Sequence, residues 1–182
     1  KSDWKALQRN RKFLGRFGCT CSEITMIKLL LSVLIFILLV LPAKAEEFDC
    51  LVEAVYHEAR SESLLAMLSV ANVILTRKES SNFPNTICGV VHQGKYWKGN
   101  PVRDKCHFSY WCDGRPERFT DIAGLIKSIN VSEMALKGIQ VKQAVGATHY
   151  HANYVTPSWA SDPRFKALGS IGKHLFYIDM RE

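Results

Sequence analysis

Glu58 is the first residue to ask about. Leu51, Ala54, Val55 and Glu58 follow spacings of three, four and seven, so a helix places them on one face. An acid is out of place on that apolar stripe. Glu53, about 140° around such a helix, can face solvent. A carboxyl held among apolar neighbours is desolvated, which raises its pKa. The partial negative charge at the nearby helix C-terminus pushes the same way. A Glu kept protonated near neutral pH can act as general acid on a glycosidic oxygen. The alternative is a structural Glu paired with Arg60 or Arg77.

Two more clusters could bear on a site. In a strand, His149 and His151 of His149-Tyr150-His151 share one side, where they could donate to a sugar or hold zinc. Their unremarkable reading is as two half-buried polar residues. Phe108, Tyr110 and Trp111 lie between Cys106 and Cys112, and Trp159 follows Pro157. Aromatic faces suit sugar rings, and equally suit a core. No G-x-S-x-G is present, so a serine nucleophile has little support.

Several elements must position these residues. We expect a helix from about Asp49, its N-cap, to Arg60, and a second, apolar nearly all round, from about Leu64 to Arg77. Asn82-Phe83-Pro84-Asn85 predicts a turn. Gly94 to Lys105 predicts a surface loop tied down by flanking cysteines. Helical spacing runs from Thr120 to Gly138. Ala147 to Val155 predicts an extended segment, and His174 to Ile178 a final strand. The mixture is α+β, helix-dominated, in a single domain.

Charge excludes one class of partner. The formal net charge of the 182 residues is +7. Residues 1–45 hold eight of the 24 Lys and Arg but two of the 17 acids. That leaves 16 against 15 for residues 46–182, with no electrostatic footprint for nucleic acid.

The basic surplus belongs to a leader. Met26-Ile27-Lys28 precedes the apolar run Leu29 to Leu41 and then Ala43-Lys44-Ala45, the pattern of a signal peptide with an A-x-A site. The run is short for a bilayer span, which needs ~20 residues. We therefore expect a signal peptide at 26–45 and a domain at 46–182, exported to the periplasm, cell wall or outside. The alternative is an uncleaved anchor over residues 27–43, the sole membrane contact expected. Residues 1–25 fit neither reading. Met26 is a natural start, and a short cytoplasmic tail is the alternative. Four of the six cysteines, Cys50, Cys88, Cys106 and Cys112, follow the leader and predict two disulfides in one of three pairings. Cys106 and Cys112 are too far apart for the usual zinc spacing.

These clusters, in this order, resemble one family. Tyr56-His57-Glu58-Ala59-Arg60 resembles the Y-x-E-A-R-G-E motif of the SleB/CwlJ-type cell wall hydrolases, the spore cortex-lytic enzymes. Val70 to Arg77, Phe83 to Val91, Cys106 to Gly114, Gly146 to His151 and Pro157-x-Trp159 resemble its later blocks. The resemblance covers roughly residues 50–178. The chain departs from the motif at Ser61, usually Gly, and at Met67, commonly Gln; both bear on groove shape. The resemblance implies a lysozyme-like or lytic-transglycosylase-like domain. It would act on peptidoglycan glycan strands between N-acetylmuramic acid and N-acetylglucosamine, with Glu58 catalytic, although the family is also often labelled an amidase. Beside the resemblance, we expect a monomer with no cofactor and no metal, in which His149, Tyr150, His151, Phe108, Tyr110 and Trp159 bind substrate. Two alternatives stand beside it: a zinc-dependent N-acetylmuramoyl-L-alanine amidase using His149 and His151, and a non-catalytic wall-binding module.

Overall fold

The computed structural model describes residues 21–181, with the side chains of 21–25 and 35–43 left aside. Residues 1–20 therefore lie outside what is described, and so do the side chains of the apolar run beyond Leu34 and of Ala43 in the expected cleavage site. The chain forms two units, Lys1–Ala43 and Lys44–Glu182. Helix α1, Cys21–Ala59, contributes to both. In the first unit the apolar side chains Met26, Ile27, Leu29 to Leu31, Val33 and Leu34 are exposed. Among the described residues, no helix is long and apolar enough to cross a membrane.

The expected start at Asp49 is not a helix start. Lys44 to Glu47 are good helix formers with no Gly or Pro among them, so the helix is already formed upstream of Asp49. The second helix, α2, is Leu64–Glu79, one turn's fraction longer than expected. Ser63 caps it, its hydroxyl accepting from the Ala66 N–H at 3.3 Å. Helix α2 is the centre of the core. Ala66, Met67, Val70, Ala71, Val73 and Ile74 are fully buried against Leu51, Ala54 and Val55 of α1. Each buried Val or Ile contributes roughly 1.5–3 kcal/mol, so Val73→Asp would break the unit.

Polar pairs fix the neighbours of these helices. Asn72 on α2 accepts from Val141 N–H at 2.9 Å and donates to the Ile139 carbonyl at 3.0 Å. That holds the segment after helix α4, Ile122–Leu136, whose cap is Asp121. The buried Tyr56 hydroxyl accepts from the N–H groups of Thr120 and Asp121, fixing where α4 begins. Between them, the short helix α3, Ile87–Val91, receives the Glu47 carboxylate on its Ile87 N–H at 2.6 Å.

The cysteine pairing left open by sequence is Cys50–Cys88 and Cys106–Cys112. The first ties α1 to α3. The second closes a short loop beside the site.

Gly94 to Lys105 is not a loop. It forms a hairpin of β1, Gly94–Trp97, and β2, Asn100–Cys106. Lys98 and Gly99 connect the strands with φ of 48° and 81°. A two-residue type I′ turn needs positive φ at both positions, which Gly supplies without strain. Density of Gly, Pro and charge concealed the pairing.

The extended segment is strand β3, His149–Ala152, and the last strand is β5, His174–Asp179. Strand β4, Phe165–Ile171, was not expected from the pattern. Its register shifts between Ala167 and Gly169, and a bulge there breaks the alternation that marks a strand. All three pair antiparallel in the order β3-β5-β4.

Candidate active site

Helix α1 and strand β3 meet at one cavity of about 560 Å³. Glu58 sits in the last turn of α1 and Tyr150 in the middle of β3. The Tyr150 hydroxyl donates to Glu58 Oε2 at 3.1 Å. Their sequence separation is 92 residues. Tyr150 reaches the cavity because it pairs with the core residue Phe176 across the sheet, and so points to the helical side.

Burial raises the pKa of Glu58, while the Tyr150 hydrogen bond and the positive charge of Arg77 pull it back. Arg77 is itself buried, its guanidinium over the rings of Phe83 and Phe108, with Nε donating to the Thr148 carbonyl at 2.6 Å. Burial also pushes the Tyr150 and Tyr110 hydroxyls well above their ordinary pKa. Four histidines line the same cavity, His57, His107, His151 and His174, and burial lowers the pKa of His57, His107 and His174. The lowered values disfavour positive charge on those three rings beside Glu58.

The other expected site residues divide between two places. Tyr110 lines the cavity and stacks on His57 with ring centroids 4.6 Å apart. Phe108 contributes to the wall but is 1% exposed and belongs to the core. His151 lines the cavity edge; its Nδ1 donates to the Ala152 carbonyl, so Nε2 accepts from the Tyr177 hydroxyl at 2.9 Å. His149 and Trp159 do not line this cavity. They pack together on the opposite face of β3, with Phe165, and His149 lines a smaller cavity with Phe83 and Arg181. Burial brings the pKa of His149 down to about 4. No group of three or more His, Cys, Asp or Glu is placed to hold a metal ion among the described residues.

Carboxylates also separate. Glu62 does not line the cavity and accepts from the Lys173 N–H at 3.2 Å. Glu53 is half-buried: its Oε1 is buried, and burial and the Glu117 charge raise its pKa. Asp113 and Glu117 line the cavity with Arg60 and Arg115. The segment 113–117 carries Gly, Pro and alternating charge, which signals a loop but not where it folds. Nothing in the spacing of Arg115 or Glu117 brings them to Glu58.

Residues 61–177 match the family described as Cell Wall Hydrolase. Two curated spore cortex-lytic enzymes from Bacillus cereus are 28% identical over 137 residues, 71% of this chain. The chain spans 43% of the length of those relatives. The catalytic domain of the Bacillus cereus SleB protein superposes with a TM-score of 0.51 at 25% identity, covering 72% of this chain and 88% of that one. The catalytic domain of the germination-specific lytic transglycosylase SleB from Bacillus anthracis gives 0.53 at 25% identity, covering 72% and 93%. The fold is accordingly lysozyme-like. Matched over residues 61–177, from the second helix to the last strand, the chain belongs to the cell wall hydrolase family.

Proposed function

We propose that this protein cleaves the peptidoglycan glycan backbone between N-acetylmuramic acid and N-acetylglucosamine, with Glu58 as its single acid and base. The observation that carries the reading is Glu58 itself: a desolvated carboxyl lining a cavity and held by the Tyr150 hydroxyl. A protonated Glu58 donates to the glycosidic oxygen as the bond to the anomeric carbon breaks. In a lytic transglycosylase the sugar's own C6 hydroxyl then attacks that carbon. Glu58, now a carboxylate, takes the C6 hydroxyl proton and is ready again. No water is activated, and the product is a 1,6-anhydro-muramic end. A structural neighbour described as a lytic transglycosylase supports this course.

Asp113 and Glu117 favour a second course, since both line the same cavity. If either activates water, the products are ordinary reducing ends. Mass spectrometry of digested peptidoglycan separates the two. Glu58→Gln should keep binding and stop cleavage; continued cleavage would overturn the reading, and cleavage of the amide to the stem peptide would favour the amidase.

We also propose that residues 26–45 are a signal peptide and that the exported form begins at Glu46. The unit boundary after Ala43 and the anchoring of α3 by Glu47 and Cys50 are compatible with that cut, which leaves both residues in place. N-terminal sequencing of exported protein beginning upstream of Met26 would favour the anchor.

A further inference from the structure

The β1-β2 hairpin plays no part in the chemistry above, yet it is the most distinctive surface of the domain. Gly94 to Cys106 carries Lys95, Lys98, Arg103 and Lys105 against one acid, Asp104. Removing it from residues 46–182 leaves 12 Lys and Arg against 14 acids, so the domain's whole positive surplus lies on this hairpin. Asp104 pairs with Arg103 at 3.8 Å. Lys95, Lys98 and Lys105 have no ion-pair partner among the described residues.

Trp97 sits beside the turn and is 72% exposed. The strand that carries it is pinned. The adjacent Tyr96 donates its hydroxyl to the His92 carbonyl at 2.8 Å and accepts from Trp111 Nε1 at 3.0 Å. His92 stacks on Trp111 with centroids 3.6 Å apart, and Cys106–Cys112 closes the base. A pinned hairpin thus carries an exposed indole among three lysines without ion-pair partners, an aromatic face with cations around it.

The hairpin is also continuous with the cavity. Cys112 ends the turn that carries Tyr110 into it, and a Cβ at Gly114, between cavity residues Asp113 and Arg115, would lie 3.7 Å from the Arg103 guanidinium of the hairpin. A sugar chain bearing carboxylates satisfies both features: its C–H faces cover the indole, and its charges meet the lysines.

We propose that the β1-β2 hairpin is an accessory binding site for the anionic peptidoglycan strand, holding the enzyme on the insoluble wall beside the cavity. This rests on peptidoglycan being the substrate. The test uses the full chain carrying Glu58→Gln and peptidoglycan stripped of phosphate polymers, in a sedimentation assay. Adding Trp97→Ala, Lys95→Gln and Lys98→Gln should weaken binding about tenfold or more, as loss of an interfacial Trp does. Binding should also weaken with salt. With Glu58 restored, the hairpin variant should cleave soluble glycan fragments at the unsubstituted rate, which shows that it folds. Trp97→Tyr alone should recover most of the binding lost by Trp97→Ala.

Equal binding by the hairpin variant would overturn the proposal. So would an effect seen only on walls that keep their phosphate polymers, or only on anionic lipid vesicles. If the chain with Glu58 intact releases no glycan fragments, the cleavage reading fails, and the sedimentation result still judges the hairpin.

Discussion

Tyr150→Phe tests the site with one atom removed. The hydroxyl donates to Glu58 at 3.1 Å and lowers its pKa against the raising effect of burial. A hydrogen bond to a charged group is worth about 1.5–3 kcal/mol. At 3.1 Å the contact is longer than the ~2.7–2.8 Å typical of O–H···O pairs, so the lower figure applies. Because 1.36 kcal/mol corresponds to one pH unit, ~1.5 kcal/mol moves the titration of Glu58 by about one unit. The bond favours the ionised form, so its loss moves the titration upward. Cleavage needs the protonated acid and falls as pH rises through that value. In Tyr150→Phe the alkaline limb of kcat should therefore shift up by about one pH unit. Release of soluble glycan fragments, followed from pH 4 to 9 for both proteins, measures it. A limb that stays put or moves down refutes the roles given to both residues.

Glu58→Gln should lower turnover by roughly 10²–10⁴, the worth of a positioned acid–base group. The same change should stabilise the fold at high pH. A raised folded pKa means that the native state holds its proton longer than the unfolded chain, so stability falls as pH rises between the two values. Thermal melts at pH 8 should therefore show a higher Tm for Glu58→Gln, and a lower one would contradict the burial argument. Breaking Cys50–Cys88, with its separation of 38, should cost about 4 kcal/mol, and Cys106–Cys112, with its separation of 6, about 2 kcal/mol on the loop-closure model. Denaturant titration of the two Cys→Ser pairs gives the order, and a larger loss for the short loop would refute it. EDTA should leave wall cleavage largely intact; loss of activity restored by zinc would instead assign the reaction to a metal-dependent amidase.

What the sequence determined by itself is local. The stripe Leu51, Ala54, Val55 and Glu58, the apolar α2 behind its Ser63 cap, and the extended His149–Ala152 each follow from spacing within a dozen residues. Glu58 stood out for the same reason, since a carboxyl on an apolar stripe is anomalous whatever packs on it. The hairpin and β4 escaped because a type I′ turn at Lys98-Gly99 and a bulge at Gly169 interrupt the short-range pattern.

Only the tertiary structure decided which groups surround Glu58. Alternation along β3 separates Tyr150 from His149 and His151, but the side that faces α1 is set by the pairing of Tyr150 with Phe176 on β5. The disulfide partners, the approach of Asp113 and Glu117, and the burial that raises the pKa of Glu58 likewise depend on segments far apart in sequence. Desolvation and charge–charge coupling act through space over a few ångströms, and spacing along the chain carries no record of which segments come that close.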